Sequence, residues 1–221
     1  MKISSPSPLL WIGAAAALGF SVSAIFSGWL QWDRSAFVLV HSVLVIAFSW
    51  TYFRVQGIDL LVQLRRRWKG GIVFGLLFGL FLWQGVLSQP DSSQPDGTGL
   101  LAAVVWFGVV YGMADAVLLN VVPVLSTYAM APREKPMTPV RRLSWGVVAL
   151  AASLLVTALY HLGFAEFRGP ELLQPLLGNG IITAGYLLTG SPLTSLIAHT
   201  LMHIAAVLHG METTMQLPPH Y

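Results

Sequence analysis

The chain has 221 residues, of which 55% are apolar and 10% are charged, and its mean hydropathy is +0.70. A soluble globular domain has about 25% charged residues, so this composition indicates an integral membrane protein. The chain contains no cysteine, which excludes disulfide bonds, cysteine-ligated metals and thiol nucleophiles.

A bilayer-spanning helix needs about 20 consecutive apolar residues, and the chain holds about seven such segments. An all-α fold is therefore expected, with a single membrane domain over 1–221: N-terminal helices in 1–95, further helices in 99–210 and a polar tail in 211–221. The first apolar run is too long for a signal peptide and is expected to be the first span. The predicted segments are 9–31, 36–54, 70–88, 99–122 with an extension toward 130, 144–163, 171–189 and 191–210.

Basic residues collect in three regions, the N-terminus, residues 54–69 and residues 131–142. Alternating spans place these regions on one side, which the positive-inside rule makes cytoplasmic. The N-terminus is therefore predicted inside and the C-terminus outside. The three regions contain Lys2, Arg54, Arg65, Arg66, Arg67, Lys69, Arg133, Lys135, Arg141 and Arg142.

Small residues and prolines predict how the segments meet. Glycines recur every four residues at Gly71, Gly75 and Gly79, a spacing that lets another helix approach closely. Pro123 is expected to kink or end the fourth segment. Ser191 precedes a proline in a tight turn and is expected to cap the last helix, so the last two segments form an antiparallel hairpin.

Ionisable side chains inside apolar segments are the candidate functional residues, because they are costly in lipid. His199 and His203 lie four residues apart, so both imidazoles share one helix face. Asp115 is the one acid in the middle of an apolar segment and requires a partner, a metal or a proton. His161 ends the fifth segment. His41 stands alone on the second segment and is expected to be structural.

Three neutral imidazoles, from His161, His199 and His203, can ligate zinc and leave a fourth position for water. Asp115 would then be a fourth ligand or the base that takes the proton from that water. Counting the helical rise places Asp115 nearer the cytoplasmic side than His161, which is expected to separate the two. The alternative is that the histidines only hydrogen-bond across helices.

Three short motifs carry a further signal. TGSPLTSLIAHTLMH leads from a turn into the last segment and supplies His199 and His203, and TALYH ends at His161. DAVLLN, in the fourth segment, begins with Asp115. The three are similar to the motifs HxxxN or HxxxD, FxxxH and EExxxR of the intramembrane metalloproteases of the CAAX-protease and bacteriocin-processing (abortive-infection) type.

The resemblance implies a peptidase of the bacterial inner membrane, with 99–210 as its protease-like core. In that family the first Glu is taken to activate the attacking water, while histidines bind water or metal. The resemblance places Asp115, His161, His199 and His203 at the catalytic positions, with zinc as the implied metal. The chain departs from the family motifs at Asp115, Ala116, Asn120, Thr157 and His203.

Three functions follow as hypotheses. The first is a membrane metallo-endopeptidase that cleaves a membrane-associated peptide. The second is a non-catalytic subunit or scaffold of a larger membrane complex, which the missing acid and arginine of the first motif favour. The third is ligation of haem or another tetrapyrrole by a membrane histidine. The lipid bilayer is the expected partner in each case, and no nucleic acid is expected. A transporter is disfavoured because the sequence shows no internal repeat.

Overall fold

The computed structural model describes residues 6–132 and 138–218. These residues form helices joined by short turns and contain no β-strand, which confirms the all-helical prediction. We number the helices along the chain as α1 (Pro8–Trp29), α2 (Arg34–Gln56), α3 (Leu60–Arg65), α4 (Trp68–Leu87), α5 (Gly97–Ala129), α6 (Pro139–Leu162), α7 (Leu173–Thr189) and α8 (Leu193–His209).

Five of these helices, α1, α2, α4, α5 and α6, are long and apolar enough to cross a membrane. The other two predicted segments are also helical, but α7 and α8 have only 17 residues each. A helix that spans the hydrocarbon core at right angles needs about 20 residues. The structure therefore confirms a helical chain with several membrane-length helices, and it supports five of the seven predicted spans by length and composition.

The connections between helices gather at two ends of the bundle. At one end, which we call the basic end, Arg67 Nη1 at the start of α4 donates to the Thr189 carbonyl at 3.2 Å. At the other, which we call the tail end, Gln89 after α4 accepts a hydrogen bond from the Met215 N–H at 2.9 Å. A 20-residue α4 separates these two ends by about 30 Å.

A row of glycines on α4 faces α8. Gly71, Gly75 and Gly79 are all buried. A Cβ on Gly75 would lie 2.8 Å from Ile197 Cβ, and one on Gly79 would lie 2.7 Å from Leu201 Cδ1. The predicted role of these glycines is confirmed, because only the absence of a side chain allows α4 and α8 to pack this closely.

Helix α5 presents glycines to another side of α8. A Cβ on Gly108 would lie 2.7 Å from Ile204 Cγ1, and a Cβ on Gly112 would lie 3.0 Å from Thr200 Cα. The helix that carries His199 and His203 thus lies between two glycine-lined helices. This tight packing fixes the position of both imidazoles relative to α5.

Pro123 does not end the fourth segment, because α5 continues to Ala129. A π-helical segment, Val117–Val121, lies directly before the proline. In a helix a proline deprives the carbonyl four residues earlier of its usual donor, and here that carbonyl belongs to Leu119. Ser153 Oγ on α6 donates to the Leu119 carbonyl instead, so the missing hydrogen bond is replaced by one between helices.

The turn between α7 and α8 differs from the prediction at its cap. Gly190 has φ +66°, the left-handed conformation that favours glycine. Ser191 does not cap α8; Pro192 occupies the capping position and the helix begins at Leu193. Thr189 Oγ1 accepts from the Ser191 N–H at 3.2 Å, so a threonine side chain bonds the backbone of the turn, and no described side chain caps α8. The helical hairpin itself is confirmed.

Replacing Gly75 with alanine is expected to lower the free energy of unfolding by about 1–3 kcal/mol, because the new methyl group overlaps Ile197. Gly70→Ala is the matched control on the same helix, since a Cβ there meets nothing within 4 Å. That control should be neutral or more stable by up to about 1 kcal/mol, owing to the better helix propensity of alanine. Thermal unfolding in detergent, followed by tryptophan fluorescence, measures both. Equal midpoints would contradict the packing described.

Candidate functional site

A cavity of about 330 Å³ lies between the helices and reaches the tail end of the bundle. Asp115, His161, His199 and His203 all line it. The structure therefore brings together the four side chains that the sequence selects, including Asp115 and His161, which the rise per residue was expected to separate.

The carboxylate of Asp115 is buried between two imidazoles. His41 Nε2 lies 3.0 Å from Oδ1, and His203 Nε2 lies 3.5 Å from Oδ2. The three side chains are at most 5% exposed and come from α5, α2 and α8. Asp115 thus has the partners that a buried acid requires, and His41 belongs to this cluster rather than standing alone.

Helix α5 is wound unusually on both sides of Asp115. An α-helical stretch, Tyr111–Ala116, lies between two π-helical segments, Val104–Val110 and Val117–Val121. Such segments insert an extra residue per turn and occur frequently at functional sites, because they change which face of the helix a side chain occupies. They alter the direction in which Asp115 projects from the helix relative to a uniform α-helix.

Two tyrosines enclose the carboxylate and its imidazoles. The hydroxyl oxygens of Tyr111 and Tyr160 lie 2.7 Å apart in a buried hydrogen bond. The Tyr111 ring lies edge-on to His203 at 4.8 Å and to His41 at 5.4 Å between centroids. Both tyrosines are at most 3% exposed, so the cluster lies among buried aromatic rings. Electrostatic interactions are stronger in such surroundings than in water.

The remaining two histidines are held by oxygen acceptors. His161 Nδ1 lies 2.8 Å from the Thr157 carbonyl, which can only accept, so Nδ1 carries the proton. His199 Nε2 lies 3.2 Å from Asn179 Oδ1. That oxygen also accepts from Asn120 Nδ2 at 2.7 Å, which assigns the His199 proton to Nε2.

A neutral imidazole carries a proton on only one ring nitrogen, so these contacts identify the unprotonated nitrogen of each histidine. These are His161 Nε2, His199 Nδ1 and, where His203 Nε2 donates to the carboxylate, His203 Nδ1. Among the protein atoms of residues 6–132 and 138–218, the last two are buried without a hydrogen-bond partner. The same holds for both ring nitrogens of His41 and for His203 Nε2, whose contact with Asp115 is at an ion-pair distance. The His199 and His203 rings lie parallel, with centroids 5.9 Å apart.

Neutral imidazoles whose other nitrogen is hydrogen-bonded are chemically suited to a metal. In the described part of the chain, no group of three His, Asp or Glu side chains is close enough to hold one ion as the side chains are placed here. Zinc ligation by His161, His199 and His203 stays a prediction, and the chemistry below is derived from the side chains alone.

The residues that follow α8 cover the tail-end mouth of the cavity. We call residues 211–218 the C-terminal strap. Arg34 Nε donates to the Pro218 carbonyl at 2.7 Å, and Gln89 Nε2 donates to Gln216 Oε1 at 3.0 Å. Leu217 is buried, and the last four residues of the strap line the cavity. The strap is therefore part of the site.

Four residues that shape the site, His41, Tyr111, Tyr160 and Asn179, are not among the predicted site residues. Only His41 carries a signal in the sequence, because it is an ionisable group in an apolar segment. Tyr111, Tyr160 and Asn179 gave none, because tyrosine and asparagine in a helical segment become functional only through the neighbours that the fold provides. Asn179 lies near two glycines, Gly178 and Gly180, that indicate irregular backbone, whereas α7 is a regular helix.

Comparisons of the chain with known protein families, curated proteins and solved structures gave no match. The resemblance to CAAX-type peptidases is therefore carried by three short motifs alone.

Weakening the strap is expected to open the cavity. The natural chain lacks cysteine, so Met202→Cys places a single thiol in the cavity lining. Arg34→Gln should raise its labelling rate by a small thiosulfonate about 10-fold, because charged hydrogen bonds to the strap carbonyls are lost. Arg168→Gln is the control, since Arg168 donates to the Leu162 and Gly163 carbonyls but not to the strap. Equal rates in both variants would show that the strap does not limit access.

Proposed function

We propose that this chain is a polytopic membrane endopeptidase that hydrolyses a membrane-associated peptide. The observation that carries the proposal is the meeting of one carboxylate and three imidazoles, Asp115, His161, His199 and His203, at a single enclosed cavity. A carboxylate that orients an imidazole is the arrangement of a general base.

The base in this mechanism is His203. In this proposal Asp115, whose Oδ2 lies 3.5 Å from His203 Nε2, keeps the imidazole proton on that nitrogen and so leaves Nδ1 basic. A water in the cavity transfers a proton to Nδ1 while its oxygen attacks the peptide carbonyl carbon. The resulting tetrahedral oxyanion collapses, the C–N bond breaks, and the proton on His203 passes to the departing amine. General base catalysis of this kind contributes about 10²–10⁴-fold to the rate.

The oxyanion needs a hydrogen-bond donor that is already in place. Tyr111 lines the cavity, and its hydroxyl is paired with that of Tyr160. If Tyr160 donates within this pair, the Tyr111 O–H is free to donate to the oxyanion. His199 and His161, fixed by Asn179 and Thr157, form the opposite polar wall, and their unprotonated ring nitrogens accept hydrogen bonds from N–H groups of the peptide.

The side from which the peptide enters follows from the charges. The basic end of the bundle lies in the cytoplasm by the positive-inside rule. The strap and the cavity mouth then face the outer side of a bacterial inner membrane, with the N-terminus inside and the C-terminus outside. The substrate is accordingly a peptide that reaches the outer leaflet, and all seven apolar helices traverse the bilayer, with α7 and α8 as the short members.

A non-catalytic membrane subunit is the second candidate. It is favoured by the contacts of Asp115, whose two oxygens each have an imidazole neighbour, as a purely structural cluster would require. In that case isosteric replacement of Asp115 changes stability and nothing else. The two candidates are therefore separated by measuring hydrolysis and stability on the same variants.

Asp115→Asn removes the charge that orients His203, and His199→Ala removes a side chain that lines the cavity. Each is expected to reduce hydrolysis by at least about 100-fold. The assay uses proteoliposomes and a library of lipid-anchored fluorogenic peptides. His209→Ala is the matched control, since His209 follows on the same helix but bonds the Gln89 carbonyl and does not line the cavity.

Hydrolysis that survives both substitutions in folded protein would remove the peptidase proposal. Metal analysis of the same detergent-purified preparations checks the zinc prediction separately. Zinc bound to the natural chain and lost from His199→Ala would support it, and metal-free protein with full hydrolysis would contradict it.

The proposed orientation predicts a labelling pattern in intact cells. Asp91→Cys, in the exposed connection after α4, should react with a membrane-impermeant maleimide added outside. Arg65→Cys, exposed at the basic end, should react only after the membrane is permeabilised. Because the natural chain has no cysteine, each variant carries one thiol. The reverse pattern would invert the topology and place the cavity mouth in the cytoplasm.

A further inference from the structure

A second cavity, of about 460 Å³, opens at the basic end of the bundle. Three arginines line it, Arg66, Arg67 and Arg142, and the lining residues that the structure describes include no carboxylate. It lies between the start of α4, the ends of α5 and α7, and the start of α6. It shares no lining residue with the cavity of Asp115.

Two of the arginines converge on one point beside the α7–α8 turn. Arg67 Nη1 lies 3.5 Å and Arg142 Nη2 lies 3.9 Å from the position that a Cβ on Gly190 would occupy. Arg67 has φ +52°, a conformation that few residues other than glycine adopt. Its side chain is held there by donation to the Thr189 carbonyl.

No described carboxylate balances the charge of these arginines. Among residues 6–132 and 138–218, none of Arg66, Arg67 and Arg142 forms a salt bridge with an acidic side chain. Like charges brought together repel, and an anion placed between them lowers the energy of all three groups. Arginine is the side chain best suited to a phosphate, because its planar fork donates two parallel hydrogen bonds.

The inner wall of the same cavity is apolar. Val124 is buried, Leu125 and Leu187 are half-buried, and the rings of Tyr128 and Tyr186 complete the wall. A cationic rim above an apolar wall, at the end of membrane-length helices, matches a molecule with an anionic head and a hydrocarbon tail. A free phosphate ion shares the head but has nothing to place on the apolar wall.

We propose that this second cavity binds the phosphate headgroup of an anionic phospholipid, with an acyl chain along Val124, Leu125 and Leu187. Arg67 and Arg142 hold the phosphate from two sides, and Arg66 adds a third positive charge. Basic pockets between helices on the cytoplasmic side are a recurrent form of lipid-headgroup site. The site is independent of the proposed hydrolysis, since it uses other residues at the other end of the bundle.

The test is native mass spectrometry of the full-length, detergent-purified chain titrated with phosphatidylglycerol, phosphatidylcholine or inorganic phosphate. Phosphatidylglycerol should bind at least about 10-fold more tightly than phosphatidylcholine, and Arg67→Gln/Arg142→Gln should weaken it about 10-fold or more. The control is Arg65→Gln/Lys69→Gln, which removes the same charge from the same region but from residues outside the lining. It should bind like the natural chain.

Equal binding of the two lipids, or equal loss in both double variants, would overturn the proposal, because affinity would then follow net charge. Inorganic phosphate that binds as tightly as phosphatidylglycerol would overturn the lipid assignment in favour of a soluble phosphate site. If Arg67→Gln/Arg142→Gln does not fold, Arg66→Gln/Arg142→Gln leaves the Arg67 hydrogen bond intact and should show the same loss. Unchanged lipid binding in that folded variant would refute the site.

Discussion

The structure depends on one buried interaction, the carboxylate of Asp115 between the imidazoles of His41 and His203. An uncompensated charge in the middle of a membrane helix costs ~3 kcal/mol or more, so the carboxylate constrains whatever packs around it. Here its partners come from α2 and α8, which lie on either side of α5 in sequence. Asp115 therefore links an N-terminal helix to the last helix of the bundle. Residues from both 1–95 and 99–210 contribute to its cluster.

The glycines make this interaction possible. A Cβ on Gly112 would lie 3.1 Å from His203 Cδ2, so a side chain at that position would crowd the imidazole beside Asp115. The glycine row of α4 presses on another side of α8 through Gly75 and Gly79. Helix–helix packing in lipid gains little from the hydrophobic effect and depends on such close backbone approach. The distance between the Asp115 carboxylate and the His203 imidazole thus depends on glycines, which allow α8 to pack closely against its neighbours.

The repeating features of the sequence predict the helices and their packing. Contacts between helices that are distant in sequence leave no such pattern, so the partners of Asp115 could not be predicted. The glycine spacing of α4 and the apolar runs are local signals, so the helices and the packing face of α4 followed from them. The partner of Asp115 is not a local property, because which helix lies beside α5 depends on the whole bundle. For this reason the sequence predicts a separate structural role for His41, although it is the closer of the two imidazoles to Asp115.

Asp115 and His161 line one cavity, although the rise per residue predicts that they are separated. Counting about 1.5 Å per residue assumes a uniform α-helix that runs straight across the bilayer. Helix α5 has 33 residues, well beyond the ~20 that a span requires, and contains two π-helical segments. Such a helix tilts or extends past the hydrocarbon core, so depth along its sequence does not equal depth in the membrane. Asp115 and His161 consequently line one cavity.

The contacts of Asp115 are those of a structural cluster, since a buried acid needs an imidazole beside it whatever the function. The feature that goes beyond this need is the cavity. Asp115, His161, His199 and His203 line a space of about 330 Å³ that reaches the tail end of the bundle, whereas His41, the nearer imidazole of Asp115, does not line it. A polar cluster that only joins helices does not need such a space, because close packing that excludes water strengthens its electrostatic interactions. The cavity, rather than the contacts of Asp115, is therefore the feature that a hydrolytic site needs and a structural cluster does not.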